Sequence, residues 1–342
     1  MMLPKASILW VNYNSMPIID VVLHSLSAVN ELDYPNLELV VIDNGSTDGS
    51  FNVIRSFLKK MKVRVKVWRL NSNLGFAGGN NVAYRLADDD SSYIVLLNND
   101  AAPYPHSLRE IIECLDSMPE VGAAQGIIYK MNRCEVETAG NFLNELLTSY
   151  SLKRNPGKSI PITYPTGCYA VIKRSALKRI GLVNRLFIGE SFAYFDDNYL
   201  GMKLWNHGYK VISLPIKAGV HYGSASFKRY SLFRSYNIAK AWIARIFATN
   251  TKWKSFAILY YFKKFMMRRS RIEKMILLKA YIDGLKLARK VDEVFNIYKM
   301  PIITFPEEIL FKIPFYLALQ RYLSADMAKA SSKFFDKIGV HP

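Results

Sequence analysis

The sequence predicts an α/β protein: a mostly parallel, doubly wound sheet flanked by helices, followed by a basic, mainly helical C-terminal region. Three observations lead there. Short runs rich in Val, Ile and Leu alternate with helix-length segments through the first hundred residues, as expected of parallel strands buried between helices. Each run stops at a cluster of polar residues. The net charge of +18 is also uneven: residues 227–342 hold 23 Lys and Arg against 8 Asp and Glu, and residues 1–226 hold 23 against 20.

In chain order, Ser7–Asn12, Leu37–Asp43, Arg64–Arg69 and Tyr93–Leu97 read as buried strands. Between them, Ile18–Asn30, Ser50–Met61 and Gly79–Ala87 are long enough for helices. Residues 120–226 keep a mixed texture, with Thr166–Arg174, Tyr194–Asp197 and a strand-like Val211–Leu214 standing out. From Phe227 the chain turns aromatic, basic and helical, so a boundary near Ser226 separates an N-terminal domain, 1–226, from a tail, 227–342.

Doubly wound sheets bind ligands beyond the carboxyl ends of their strands. Those ends are Asn12-Tyr13-Asn14, Asp43 to Ser50, Asn71 and Asn73 leading into Gly75–Asn81, and Asn98-Asn99-Asp100. Turn and capping chemistry accounts for each cluster taken singly, with Asp48 or Ser50 well suited to cap a helix. Four of them on one sheet edge point to a shared ligand.

Composition excludes several classes. Cys114, Cys134 and Cys168 lie far apart without Cys/His spacing, which argues against a disulfide framework or a zinc site and suits a reducing compartment. Met1–Val11 does not have a signal-peptide pattern, and no uncharged stretch reaches the ~18 apolar residues of a spanning helix. The expected location is cytoplasmic, peripheral on the inner face of a membrane.

Four segments in order, VNYNS (Val11–Ser15), VIDNGSTDGS (Val41–Ser50), NLGFAGGNN (Asn73–Asn81) and LLNND (Leu96–Asp100), resemble the signatures of family 2 of the inverting glycosyltransferases. TGCYAVIKR, Phe195-Asp196-Asp197 and His221 with Gly223 and Ser226 follow. The similarity covers the first 226 residues and is strongest to the rhamnosyltransferase-like branch. It implies the GT-A fold, a Rossmann-like sheet.

The resemblance also implies roles. The donor is a nucleotide-diphosphate sugar, whose departing diphosphate needs a hard divalent cation, Mn²⁺ or Mg²⁺, with oxygen ligands. Asp100 stands at the family's metal position. Asn98 reaches the ribose or the metal, and His221 completes the metal shell or touches the diphosphate. Asp43 is the base-recognising aspartate, or else a turn residue before Gly45. Asn12 and Tyr13 lie along base and ribose, and Asn73, Gly78 and Gly79 join the donor-binding set, the glycine pair letting backbone approach donor or helix. Asp197 is the base that takes the acceptor hydroxyl proton. Asp196 either holds an acceptor-side cation or raises the pKa of its neighbour, and both aspartates also suit a helix N-terminus.

The chain departs from the family at Tyr199, where a further aspartate is usual, and in a longer Gly181–Ala193 segment. Both bear on the acceptor, expected to be a glycan or a lipid-linked glycan. In the tail, Trp253–Arg271 interleaves aromatics with Lys and Arg, and Met275, Leu278, Ile282 and Leu285 recur at helical spacing beside Lys279, Lys286 and Lys290. That pattern fits a helix lying on an anionic membrane surface or a subdomain packed on the sheet. The alternatives in other classes are an inactive sugar-nucleotide-binding scaffold and a nucleic-acid binder using the tail. Asp43, Asp100 and Asp197 together oppose the first, and the second has no recognisable motif, so no nucleic acid is expected.

Overall fold

The computed structural model describes residues 3–132, 134–223, 231–305 and 320–340. The predicted boundary residues Ser226 and Phe227 lie outside them. Two compact units form, one from Met1–Asn141 and Ser151–Ser231, the other from Phe142–Tyr150 and Leu232–Pro342. The second thus takes in a short segment from within residues 1–226.

The first unit is built on β1 (Ala6–Asn12), α1 (Ile19–Asn30), β2 (Leu37–Asp43), α2 (Ser50–Leu58), β3 (Arg64–Arg69), α3 (Gly75–Leu86) and β4 (Tyr93–Asn98). After these come β5 (Ala101–Pro103), α4 (Ser107–Asp116), β6 (Val121–Lys130) and β7 (Val136–Thr138). The chain passes through β8 (Asn141–Asn144) and β9 (Ser149–Ser151), then returns with β10 (Ile160–Pro161), β11 (Tyr169–Lys173), α5 (Arg174–Arg179), α6 (Asp196–Asn206) and β12 (Lys210–His221). The strands lie in the order β10-β12-β6-β11-β4-β1-β2-β3.

Parallel pairing of β1 with both β2 and β4 puts Asn12 opposite Asp43 and Val11 opposite Asn98. The strand–helix alternation of the first hundred residues therefore folds as the texture predicts. Beyond β4 the sheet is mixed: β11 runs antiparallel to β4, with Tyr169 opposite Leu97. The start of β11 consequently shares an edge with the ends of β1, β2 and β4. The core is continuous across the sheet, with Ile8, Trp10, Leu39, Val41, Val95 and Val171 all fully buried.

Several expectations change. Arg64–Arg69 is an exposed edge strand, and its Arg64, Lys66 and Arg69 are the charges that discourage pairing with another sheet. The last predicted helix begins at Gly75, because the Asn73 side chain accepts the Gly75 N–H at 2.8 Å and opens the first turn there. Gly78 and Gly79 thus lie inside that helix. The strand expected at Val211–Leu214 is longer and carries His221 at its end.

The opposite edge of the sheet is closed by charge. Lys5, Lys66 and Arg64 surround Asp88. Hydrogen bonds from Lys5 and Lys66 hold its carboxyl well below the usual carboxylate range.

The second unit is mainly helical: α7 (Ser231–Ala248), α8 (Lys254–Met266), α9 (Arg271–Ala288) and α10 (Gln320–Lys337), with β13 (Ile302–Ile303) pairing in parallel with β8. Buried Glu145 anchors it, accepting from Phe305 N at 2.6 Å and Tyr298 Oη at 3.1 Å. Among the described residues no helix is long and apolar enough to cross a membrane.

Candidate active site

Asn12 is fully buried at the end of β1. Its Nδ2 reaches Asp43 Oδ1 at 3.1 Å and Ser46 Oγ at 3.2 Å, and its Oδ1 accepts from Ser15 Oγ and from Asn99 Nδ2 at 3.1 Å. One amide therefore ties together the loops after β1, β2 and β4. Next to it Tyr13 is 40 % exposed, its ring open to solvent.

Asp43 is also buried. Its Oδ2 accepts from Ser46 N at 3.1 Å and lies 3.3 Å from Arg69 Nε. It is thus a turn residue and a charged partner at once. A carboxylate has about four acceptor sites, and these three contacts leave capacity for one more donor.

Asn73 Oδ1 accepts from Asn44 Nδ2 at 3.0 Å as well as from Gly75 N, so it shapes the loop before α3. A Cβ at Gly79 would come 2.7 Å from Val11 Cγ1 and 3.3 Å from Asn44 Nδ2. The glycine lets the helix approach β1. At Gly78 a Cβ would strike Leu74 Cβ at 2.5 Å. Of the two purposes the pair could serve, this geometry uses the approach to the protein's own helix and strand.

Pairing of β12 with β5 sets His221 opposite Ala101, and Tyr222 N donates to Asp100 O at 2.9 Å. That register brings His221 Nε2 to 3.2 Å from Asp100 Oδ1. On the other side of the ring, Nδ1 lies 3.0 Å from each Glu137 oxygen. Burial opposes charging of the imidazole, but Cys168, Asp100 and Glu137 outweigh it and push its pKa up to about 11. The imidazole is thus set between two carboxyl groups, one on each ring nitrogen.

The pair also fits a divalent ion. An imidazole nitrogen and a carboxylate oxygen converge, and a second carboxylate holds the remaining ring nitrogen, as is usual for metal-ligating histidines. Nitrogen and oxygen donors suit Mn²⁺ well, and Mg²⁺ through the carboxylate. Among the described residues no group of three or more His, Cys, Asp or Glu side chains could hold a metal, so ligand oxygens or water would complete the shell. Asn98, half-buried at the end of β4, lies on the same edge and donates its N–H to Cys168 O at 3.0 Å.

Asp196 and Asp197 open α6. Gly167 N, just before β11, donates to Asp197 Oδ2 at 3.0 Å. A Cβ at Gly167 would come 3.2 Å from Asp197 Oδ1 and 2.9 Å from Phe76 Cζ, so only glycine leaves the carboxylate undisturbed. Asp197 is half-buried, whereas Asp196 is buried and accepts from Ser191 Oγ. Of the two residues at the start of α6, Asp196 is thus the more enclosed, with Ser191 as a hydrogen-bond partner. Tyr199, at the family's further aspartate, is a core residue 5.9 Å from the Phe195 ring centroid.

The sequence reading gave no role to two residues that hold elements of this edge in place. Glu137 orients His221 from a three-residue strand with no motif around it. Asn81 fastens the long Gly181–Ala193 segment to α3, with its Oδ1 accepting from Leu186 N at 2.9 Å and Phe187 N at 3.0 Å and its Nδ2 donating to Phe187 O at 2.8 Å. Its place in NLGFAGGNN, one turn after the glycines and on a helix face turned inward, was the available signal.

Comparison with known proteins bears on the family and the fold. The poly-β-1,6-N-acetyl-D-glucosamine synthase of Staphylococcus epidermidis is 26% identical over 169 residues, which are 49% of this chain and 40% of that protein. The GalNAc(5)-diNAcBac-PP-undecaprenol β-1,3-glucosyltransferase of Campylobacter jejuni is 21% identical over 236 residues, 69% of this chain and 65% of the relative. The chain thus spans between two fifths and two thirds of the length of these relatives. The fold is shared with the mannosyltransferase PcManGT of Pyrobaculum calidifontis, solved with GDP-Man and Mn²⁺, at a TM-score of 0.52 and 20% identity over 97% of this chain and 87% of that one. The model of glycosyl transferase family 2 matches residues 7–181, more than half of the chain. The chain is a member of glycosyltransferase family 2, with the GT-A fold.

Proposed function

We propose that this protein transfers a sugar, with inversion, from a nucleotide-diphosphate donor to an acceptor hydroxyl. The observation that carries the proposal is the convergence of Asp100 and His221 Nε2 on the strand edge that also holds Asp43 and the start of β11. Asp43, with acceptor capacity to spare, takes an N–H of the nucleobase, and the exposed Tyr13 ring stacks on it. Asn12 keeps both in register by joining three loops. Asp197, oriented by the Gly167 N–H, takes the acceptor proton. Asp100 and His221 would hold a divalent cation, which would supply charge neutralisation for the leaving diphosphate.

The acceptor belongs to the glycan or lipid-linked class, a reading supported by the undecaprenol-linked substrate in the Campylobacter relative's name. Such an acceptor places the enzyme on the cytoplasmic face of an anionic membrane, where the basic tail is drawn to headgroup charge.

A thermal-shift panel of uridine, guanosine and thymidine diphosphates, each with and without Mn²⁺, tests the donor and metal assignments. One nucleotide at about a hundredfold excess over its Kd should stabilise the protein by about 2.7 kcal/mol, hence raise Tm by about 5 °C, and only with the metal. A panel with no metal-dependent shift would contradict the reading.

A further inference from the structure

Among the described residues, the α8–α9 hairpin of the second unit is packed on one side. On α8, buried Phe256, Ala257 and Tyr261 form the inner face, and on α9 buried Ala280, Gly284 and Leu287 do the same. A Cβ at Gly284 would come 2.7 Å from both Lys240 O and Ile243 Cβ, so α9 is seated tightly against α7. The helices meet through Tyr261 Oη, which donates to Leu277 O at 2.6 Å, and through Tyr261 and Phe262 on the Tyr281 ring.

The outer faces are apolar. On α8, Leu259, Phe262 and Met266 recur at i, i+3 and i+7, with Leu259 53 % and Met266 69 % exposed. On α9, Ile272, Met275, Leu278 and Ile282 occupy about a third of the helix circumference at 3.6 residues per turn, with Ile272 62 % and Met275 63 % exposed. The two stripes adjoin where exposed Phe262 rests on Tyr281, the chain neighbour of Ile282. A helix whose inner face is already satisfied gains nothing within the unit from large apolar groups outside. Such patches mark an interaction surface.

Charge identifies the partner. Residues 254–290 carry eleven Lys and Arg against two acidic residues, Glu273 and Asp283. Asp283 is already engaged by Lys279 at 2.8 Å and by Tyr236 Oη at 2.6 Å, and Glu273 lies 3.7 Å from Arg268. The turn between the helices reads Met267-Arg268-Arg269-Ser270-Arg271, all exposed. Lys279 and Lys286 share the outward face of α9 at helical spacing. Exposed apolar groups rimmed by cations match acyl chains beneath anionic headgroups.

We propose that the α8–α9 hairpin is the element that docks this protein on an anionic bilayer, inserting Leu259, Phe262, Met266, Ile272 and Met275 below a ring of arginine and lysine headgroup contacts. This rests on the membrane-surface part of the proposed function, but its test is independent of sugar transfer.

The test uses the full chain with vesicles of pure phosphatidylcholine or of phosphatidylcholine with phosphatidylglycerol, in low and high salt. The wild type should sediment with the anionic vesicles. Binding should fall as salt shortens the screening length from about 10 Å at 0.1 M to about 3 Å at 1 M, leaving an apolar remainder. A Phe262→Gln, Met266→Gln, Ile272→Gln, Met275→Gln variant changes only half-exposed or exposed side chains. It should keep its melting temperature and lose at least about tenfold in vesicle partitioning, including the salt-resistant remainder. Arg268→Gln, Arg269→Gln, Arg271→Gln should lose chiefly the salt-sensitive part. Wild-type protein left in the supernatant, or apolar variants that bind as well as the wild type, would overturn the proposal. So would a wild-type dimer that the apolar variant dissociates without any vesicle binding, since the face would then belong to a second copy, and so would capture by an oligonucleotide in preference to vesicles.

Discussion

Asp100→Ala is expected to abolish the metal-dependent part of nucleoside diphosphate binding in a protein that stays folded. Among the described residues, Asp100 contributes the carboxylate oxygen that meets His221 Nε2, at 3.2 Å. Loss of a group that merely orients a ligand costs roughly 10–100-fold in metal affinity. Loss of the ligand itself should exceed that range. The fold should survive because Glu137 still pairs with His221 at 3.0 Å and the Tyr222 N–H still donates to the backbone carbonyl of residue 100. Titration calorimetry with Mn²⁺ and the diphosphate found by thermal shift reads the effect. Unchanged metal-dependent affinity would remove Asp100 from the metal site.

Asp197→Asn separates binding from chemistry. The amide oxygen can still accept the Gly167 N–H, so the loop before β11 and the start of α6 should hold their geometry. What is lost is the ability to take a proton from the attacking hydroxyl, worth roughly 10²–10⁴ in rate for a positioned base. Transfer should fall by that factor while donor affinity stays near the wild-type value. Near-normal turnover would show that the base is elsewhere. Asp196 is poorly placed to replace it, because Ser191 already donates to its buried carboxylate.

The strand-end clusters were legible in the sequence because parallel strands impose one rule on all of them. Where the apolar run stops, the ligand edge begins, and Asn12, Asp43 and Asn98 follow from the ends of β1, β2 and β4. What could not be read are contacts between segments distant in sequence. Glu137 meets His221 across 84 residues, and Asn81 holds Phe187 across 106, through pairings that no local pattern encodes. The glycine pair was misplaced for a related reason. The predicted helix opened at Gly79, but the Asn73 side chain starts it one turn earlier, at Gly75, which takes Gly78 inside as well. Asp196 and Asp197 took different roles from the resemblance alone, and their difference in burial, Asp196 enclosed and Asp197 half-buried, is what the sequence did not display. In the tail the helical spacing of Met275, Leu278 and Ile282 was evident, but whether that stripe faced inward or outward was not. Burial of Ala280, Gly284 and Leu287 on the other side of α9 decides it.

Single displacement with one base makes a stereochemical demand that needs no knowledge of the acceptor. With water as a slow substitute acceptor, the donor identified by thermal shift can be hydrolysed in D₂O and the first sugar released can be followed by proton NMR before mutarotation. Direct attack assisted by Asp197 delivers the sugar with the anomeric configuration opposite to that in the donor, and Asp197→Asn should suppress its release. Sugar emerging with the donor's own configuration would contradict the single back-side displacement.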